Sequence, residues 1–240
     1  MPKGEWISQI NMLDLIERLN VEELIISGRL IDASNATLFG HLKNDESLKI
    51  IYKPTAGERP LWDFPDGSLA AREMAAYIFS DLFQFNIVPP TVLRDGPYGY
   101  GMVQLWIDNA QPENLIELAQ SENQDLRKMV LFDALINNAD RKYGHILIKE
   151  NNQILGCDHG ITFHAEDKLR TVLWQFSGDK LMASEIETLE VIIRNDFDPL
   201  TDLLTPEEIE ATLNRAKKLL QIGRLPLPAS DRPSIPWPPV

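Results

Sequence analysis

Residues 133–148 read Asp133-Ala-Leu-Ile-Asn-Asn-Ala-Asp140-Arg141-Lys-Tyr-Gly-His145-Ile-Leu-Ile. Their pattern predicts the end of a helix and the start of a short strand, with polar side chains between them. Such side chains are poor packing material, and a polar loop held by two rigid elements is typical of a functional site. A second polar loop, Gly-Cys-Asp158-His-Gly, follows another short strand. Acids that end paired strands can reach one cavity, which makes Asp140 and Asp158 the candidate catalytic pair.

The two loops lie in the second of two halves with different patterns. Residues 1–106 contain five β-rich segments and an apolar helix, separated by turns rich in Asp, Asn, Gly and Pro. Residues 107–224 are mostly helical in pattern, and residues 225–240 form a Pro-rich tail. We expect Ser121 and Thr205 to begin two of the helices as N-caps. The pattern predicts an α+β chain with an antiparallel sheet before a helical half.

Composition limits the partners that the chain is expected to have. It has 240 residues, with 23 Lys and Arg against 36 Asp and Glu, for a net charge of −13. Such a surface repels nucleic acid and anionic membranes, so we expect no nucleic-acid partner. No run approaches the roughly 20 apolar residues that span a bilayer. Because Cys157 is the single cysteine, no internal disulfide can form, and a cytoplasmic location is expected.

The first half supplies a lysine that suits a phosphate-binding cleft. Lys53 ends an apolar strand, and a buried strand that delivers one ammonium group to a cleft fits a negatively charged partner. Phosphoryl transfer also requires one carboxylate to orient the acceptor and another to hold the metal ion. Glu73, inside the apolar helix, could pair with Lys53. Glu58, in the loop before that helix, is the alternative partner.

The spacing Asp-x4-Asn-x-Asp-Arg, followed by Asp-x-Gly, resembles the catalytic and metal-binding loops of the phosphatidylinositol 3-/4-kinase-like family. It is similar to type II phosphatidylinositol 4-kinases and to bacterial HipA-type kinases. Bacterial phosphatidylinositol-kinase-like proteins share the Asn-Asn-Ala-Asp-Arg-Lys and Asp-His-Gly motifs and the stretch 169–174. The resemblance implies a bilobal protein-kinase-like fold and an ATP-dependent kinase.

The resemblance also implies roles for individual residues. Asp140 would be the catalytic aspartate, Asp158 the main ligand of Mg²⁺ or Mn²⁺, and Arg141 a neighbour of the γ-phosphate or the acceptor. The second metal-binding position of the family is usually Asn, whereas this chain has His145. Imidazole suits Mn²⁺ or Zn²⁺ better than Mg²⁺. His159 could replace it as a ligand.

Two further segments are candidates for binding ATP. A turn of small polar residues could present backbone N–H groups to phosphates, or it could be an ordinary hairpin turn; it consists of Ser34, Asn35, Ala36 and Thr37. The backbone of the hinge between the halves would read the edge of adenine. We assign to that hinge Val103, Gln104, Leu105 and Trp106.

Three functions stay open from the sequence. The first is a kinase, whose acidic composition favours a protein or small-molecule acceptor over an anionic lipid. The second is a nucleotide-binding pseudokinase, indicated by His145, the missing Gly-rich loop and the Pro-rich tail, which could bind a protein partner. The third is a metal-dependent phosphohydrolase built on His145, Asp158 and His159. The sequence indicates neither the acceptor nor the oligomeric state.

Overall fold

The computed structural model describes residues 11–30, 35–108, 115–149 and 151–239. The first half contains two helices and five strands, in the order α1 Met12–Val21, β1 Leu24–Arg29, β2 Leu38–Leu42, β3 Asp45–Pro54, α2 Leu69–Leu82, β4 Thr91–Gly96 and β5 Gly99–Leu105. The second half contains four helices and two short strands, in the order α3 Leu115–Ala119, α4 Gln124–Ile136, β6 Ile146–Ile148, β7 Ile154–Gly156, α5 Ala183–Arg194 and α6 Pro206–Ile222. The α+β prediction is confirmed.

The five strands of the first half form one antiparallel sheet with the order β1-β2-β3-β5-β4. Alternate residues of β3, Leu48, Ile50 and Tyr52, are buried in a core that also contains Leu15 and Leu19 of α1. Because side chains alternate across a strand, the residue that follows Tyr52 points to the opposite face. This alternation directs Lys53 towards α2. The division of the chain at residue 106 stays a prediction.

The core of the second half includes the inner face of α2. Phe79 of α2 is fully buried, and its ring centroid lies 6.0 Å from those of Phe132 and Phe163 and 6.2 Å from that of Phe197. Buried apolar area stabilises a fold in proportion to its extent. The shared core therefore holds α2 against the helical half as well as beside the sheet.

The helix ends follow local capping chemistry, with one correction. The side chain of Thr205 accepts a hydrogen bond from the backbone N–H of Glu208 and caps α6 as predicted. The predicted cap at Ser121 is wrong, because the side chain of Asn123 accepts from the N–H of Asp125 and begins α4 two residues later. Both residue types cap helices well, so spacing alone did not separate them.

The Pro-rich tail folds back along the helical half. The carbonyl of Ser234 accepts hydrogen bonds from the N–H of Thr171 and from Nε1 of Trp174, both at 3.0 Å. The carbonyl of Pro239 accepts from the N–H of Tyr143 at 2.9 Å. The tail therefore reaches the loop that follows Asp140. Within the described ranges, no helix has both the length and the apolar character that crossing a membrane requires.

Gly223 provides a test of the end of α6. It has a φ of +68°, in the left-handed region, with open space around the position of a Cβ atom. Gly223→Ala should lower the free energy of unfolding by about 1 kcal/mol, because a Cβ atom disfavours that backbone conformation. Gly28→Ala is the control, since Gly28 also has open space and no positive φ. Equal urea unfolding curves for the two variants would contradict this account.

Candidate active site

Three charged side chains from different parts of the chain meet beside the sheet. Nζ of Lys53 lies 2.6 Å from Oε1 of Glu73 and 2.8 Å from Oδ1 of Asp158. Burial alone would lower the pKa of Lys53, but the two carboxylates raise it above its ordinary value. Burial raises the pKa of Glu73, against the attraction of Lys53. The ammonium of Lys53 therefore stays charged between two acids.

Glu58, the alternative partner predicted for Lys53, instead binds backbone N–H groups of α2. Its carboxylate accepts hydrogen bonds from the N–H groups of Leu69 and Ala70, at 3.1 and 2.9 Å. These groups lie at the start of α2, where a negative charge is stabilised by the helix dipole. The side chain of Ser68, at the N-cap position, makes no capping hydrogen bond. Glu58 therefore fixes the start of the helix that carries Glu73.

Arg141 is fully buried and uses all five of its N–H groups. Nε and Nη2 donate to the two carboxylate oxygens of Asp133 at 2.8 and 2.9 Å. Nη1 donates to the carbonyls of His145 and Cys157, and Nη2 also donates to Nε2 of His159 at 2.8 Å. The prediction that Arg141 lies beside the γ-phosphate or acceptor is therefore wrong, because its guanidinium faces the interior.

His159 is also held away from the cleft. Its ring is fully buried, and Nε2 must be the acceptor towards Arg141 because a guanidinium only donates. Burial and the neighbouring Arg141 lower the pKa of His159 well below its ordinary value. The expectation that His159 could ligate a metal is wrong. The three-residue cluster of the phosphohydrolase hypothesis, with His145 and Asp158, is therefore not formed.

Asp140 faces the same cleft as Lys53 and Asp158. Burial raises the pKa of Asp140, while the ammonium of Lys142 acts in the opposite direction. Nζ of Lys142 lies 3.1 Å from Oδ2 of Asp140.

Lys142 had no role in the predictions made from the sequence. Its backbone is extended, with φ −100° and ψ 166°, so neighbouring side chains point in opposite directions. Arg141 points inwards and Lys142 points to Asp140. The signal for this contact was the second basic residue in Asp140-Arg141-Lys142, which an extended loop places on the side opposite to Arg141.

Asp158 and His145 fit a site for a divalent cation. Nδ1 of His145 donates to the carbonyl of Asp140 at 2.8 Å, since a carbonyl only accepts. Nε2 lies 3.3 Å from Oδ2 of Asp158. Burial lowers the pKa of His145, so the ring is neutral and Nε2 carries a lone pair. Two acceptors therefore face each other, and a cation between them would satisfy both.

The electrostatics of Asp158 agree with this assignment. Burial alone would raise the pKa of Asp158, but the ammonium of Lys53 holds it well below its ordinary range. Asp158 also has a left-handed backbone with φ +59°, a strain that is typical of functional sites. The described residues contain no group of three or more His, Cys, Asp or Glu that could hold a metal. Mg²⁺ commonly uses one or two protein ligands together with substrate phosphates.

The predicted phosphate cradle is present only in part. Ser34 lies outside the described residues. The N–H of Ala36 already donates to the carbonyl of Gly57 at 3.1 Å, and Thr37 is buried. Asn35 lines the cleft beside Lys53 and Asp158. The prediction is therefore wrong for Ala36, whose amide is occupied, while the role of Asn35 stays a prediction.

The predicted hinge lies inside the sheet or is hydrogen-bonded to it. The N–H of Leu105 donates to the carbonyl of Pro90, and that of Trp106 donates to the carbonyl of Lys49, both at 2.9 Å. These two N–H groups are not available to an adenine ring, so the prediction is wrong for them. The two preceding members are buried within β5, Val103 and Gln104.

The two acids of the catalytic loop should differ in their effect on stability. Asp133→Ala should lower the free energy of unfolding by about 3–5 kcal/mol, because it leaves the buried charge of Arg141 without its partner. Asp140→Ala should change it by less than about 1 kcal/mol, because the contact with Lys142 is partly exposed. Urea unfolding followed by tryptophan fluorescence measures both. A loss for Asp140→Ala as large as that for Asp133→Ala would contradict the separation of structural and functional acids.

The fold is similar to that of solved protein kinases. Hydra Fam20, solved with sugar, has a TM-score of 0.60 at 14% identity, over 88% of this chain and 87% of that chain. The Golgi casein kinase with Mn/ADP bound has a TM-score of 0.59 at 15% identity, over 88% of this chain and 75% of that chain. These similarities confirm the predicted protein-kinase-like fold. The narrower assignment to phosphatidylinositol kinases stays a prediction.

Sequence comparison gives a nearer relative. No family model matches the chain. The chain is 39% identical over 258 residues to Protein Rv2133c of Mycobacterium tuberculosis, and the match covers 90% of this chain and 92% of that protein. At this identity and coverage, the chain belongs to the same protein family as Rv2133c.

Proposed function

We propose that the protein is an ATP-dependent phosphotransferase. The observation that carries this proposal is the meeting of Lys53, Glu73 and Asp158 in a cleft that Asp140 also lines. Phosphoryl transfer depends mainly on positioning and on stabilising charge. Both are provided by Lys53 and the carboxylates of Glu73, Asp140 and Asp158 in one cleft. Lys142, in contact with Asp140, adds a second positive charge.

Each group has a role in the proposed reaction. The ammonium of Lys53 would bind phosphate oxygens of ATP, and Glu73 would hold it in place. The acceptor hydroxyl oxygen forms a bond to the γ-phosphorus while the bond to the bridging oxygen breaks, and ADP leaves. Asp140 takes the proton of the hydroxyl, and its raised pKa makes it a better base than an ordinary carboxylate. Lys142 would stabilise the charge of the transferred group.

Asp158 and His145 would hold Mg²⁺ or Mn²⁺. Such an ion neutralises charge on the phosphates when it is bound. The orientation of His145 is set by its hydrogen bond to the carbonyl of Asp140, so the ligand and the base share one loop. A hydrogen bond behind a ligating histidine commonly fixes its ring and tautomer in this way.

The acceptor that the charge favours is a protein or a small soluble molecule. The net charge of −13 disfavours approach to an anionic lipid surface. The loops that carry Asp140 and Asp158 resemble those of phosphatidylinositol kinases. We take this similarity to indicate phosphoryl transfer from ATP and not a lipid substrate. The Pro-rich tail reaches Tyr143 beside the catalytic loop, where a protein acceptor or partner could contact it.

A nucleotide-binding pseudokinase is the second candidate. It is favoured by His145 at the position where related kinases usually have Asn. If the imidazole fails to support Mg²⁺, the cleft would bind nucleotide without transferring its phosphate. Such a protein would be stabilised by ATP against heat without turnover.

The first test measures ATP turnover in variants of the cleft. Asp140→Asn should lower turnover by about 10²–10⁴-fold, since that is the usual contribution of a general base. Lys53→Met and Asp158→Asn should also abolish most of the ATP turnover. Lys43→Met is the matched control, because Lys43 forms an exposed ion pair with Glu23. Equal turnover in wild type and all three cleft variants would exclude the proposal.

The second test separates the kinase from the pseudokinase. In an active kinase, His145→Asn should lower the ratio of Mn²⁺- to Mg²⁺-supported turnover by about tenfold or more, since even groups behind a ligand change metal affinity on that scale. In a pseudokinase, wild type should show no turnover with either ion, and His145→Asn should create it. His41→Asn, on β2, is the control. An active wild type whose metal preference is unchanged by His145→Asn would show that His145 is not a ligand.

A further inference from the structure

A second cavity, of about 540 Å³, lies within the helical half. Its apolar lining comes from α4, from α6, from the turn at Trp174 and from the start of the tail, and includes Leu169, Leu219, Ile222 and Leu227. Pockets for small molecules usually measure about 300–1,000 Å³ and are mostly apolar with a few polar groups. Of the described residues, none lines both this cavity and the cleft that holds Asp140.

The charged residues around the cavity are mainly basic, in contrast to the rest of the chain. One acidic residue, Asp167, lines it together with four basic ones, Arg215, Lys218, Arg224 and Arg232. The whole chain has a net charge of −13. An excess of three positive charges around one apolar cavity is therefore a local feature that favours an anionic ligand.

Arg215 is a largely buried cation whose hydrogen-bond partners are neutral. It donates to the carbonyls of Leu135 and His164, at 2.8 and 3.2 Å, and to the hydroxyl of Thr212 at 2.8 Å. Within the part of the chain that the structure describes, no carboxylate forms an ion pair with it. Burial lowers the pKa of Arg215 to about 10, which shows that its charge is poorly solvated. A bound anion would stabilise it.

The other basic groups are also incompletely paired. Lys218 is exposed on α6 and forms no ion pair with any described residue. Arg232 lies 3.3 Å from Asp167 and 3.6 Å from Asp231, yet its Nε is buried without a hydrogen-bond partner. Buried donors are normally satisfied, and an unsatisfied one requires an explanation. An acidic group in the cavity would supply the missing acceptor.

We propose that this cavity binds a small anionic amphiphile, a molecule with an apolar body and one carboxylate, sulfonate or phosphate group. The apolar walls bind the body, and Arg215, Lys218 and Arg232 bind the acidic group. Neither part suffices alone, because a free phosphate leaves the apolar walls unfilled and a neutral chain leaves the cations unpaired. The site is separate from the proposed phosphotransferase cleft and does not depend on it.

The probe is dodecyl phosphate, titrated into the full chain below its micellar concentration and followed by calorimetry. It should bind, whereas inorganic phosphate and dodecanol should bind at least about tenfold more weakly, because each lacks one of the two parts. The same affinity is expected in Lys53→Met, which alters only the cleft. Loss of binding in that variant, or equal binding of dodecanol, would overturn the proposal.

Two neighbouring lysines of α6 provide a matched pair of variants. Lys218 lines the cavity, whereas Lys217 is exposed and does not line it. Lys218→Glu should weaken dodecyl phosphate binding by about tenfold, through one lost attraction and one new repulsion near the surface. Lys217→Glu makes the same charge change and should have less than about twofold effect. Arg232→Gln should also weaken binding. Equal affinities for Lys217→Glu and Lys218→Glu would overturn the site.

Discussion

The buried guanidinium of Arg141 holds the two loops of the candidate active site in one arrangement. It binds Asp133 at the end of α4, and it also binds the carbonyls of His145 and Cys157 at the edges of β6 and β7. A buried charge is costly unless its partners satisfy it. Here every N–H group has an acceptor, so the backbone beside Asp140 and before Asp158 has little freedom.

Several other features follow from this constraint. A Cβ atom at Gly156 would lie 3.0 Å from the guanidinium nitrogens, so this position has room for glycine alone unless Arg141 shifts. His159 is turned inwards as an acceptor. Because Arg141 points to the interior, the next side chain, Lys142, points to Asp140. The inward direction of His159 and the contact of Lys142 with Asp140 thus both follow from the pairing of Arg141 in the interior.

The sequence predicted those parts of the site that depend on local pattern. Lys53 could be placed because an apolar strand with alternating faces delivers it. The acids could be placed because Asp140 follows the end of a helix and Asp158 follows the end of a short strand. The direction of Arg141 could not be predicted, since its side-chain partners lie 8 and 18 positions away and its carbonyl partners 4 and 16 positions away along the chain. The prediction of the hinge at residues 103–106 failed for a similar reason. The amides of Leu105 and Trp106 are occupied by strand neighbours that only the register of the sheet defines.

The position of Glu73 rests on contacts that reach across the molecule. Arg72, its neighbour on α2, is buried and donates to the carbonyl of Thr162 at 2.7 Å and to the carboxylate of Glu208 at the start of α6. Oε2 of Glu73 accepts from the N–H of His159 at 2.8 Å. Moving α2 away from the helical half would therefore leave a buried guanidinium without its partner, which costs several kcal/mol. The contact between Lys53 and Glu73 is consequently part of the folded core, and a nucleotide would meet a lysine that is already in position.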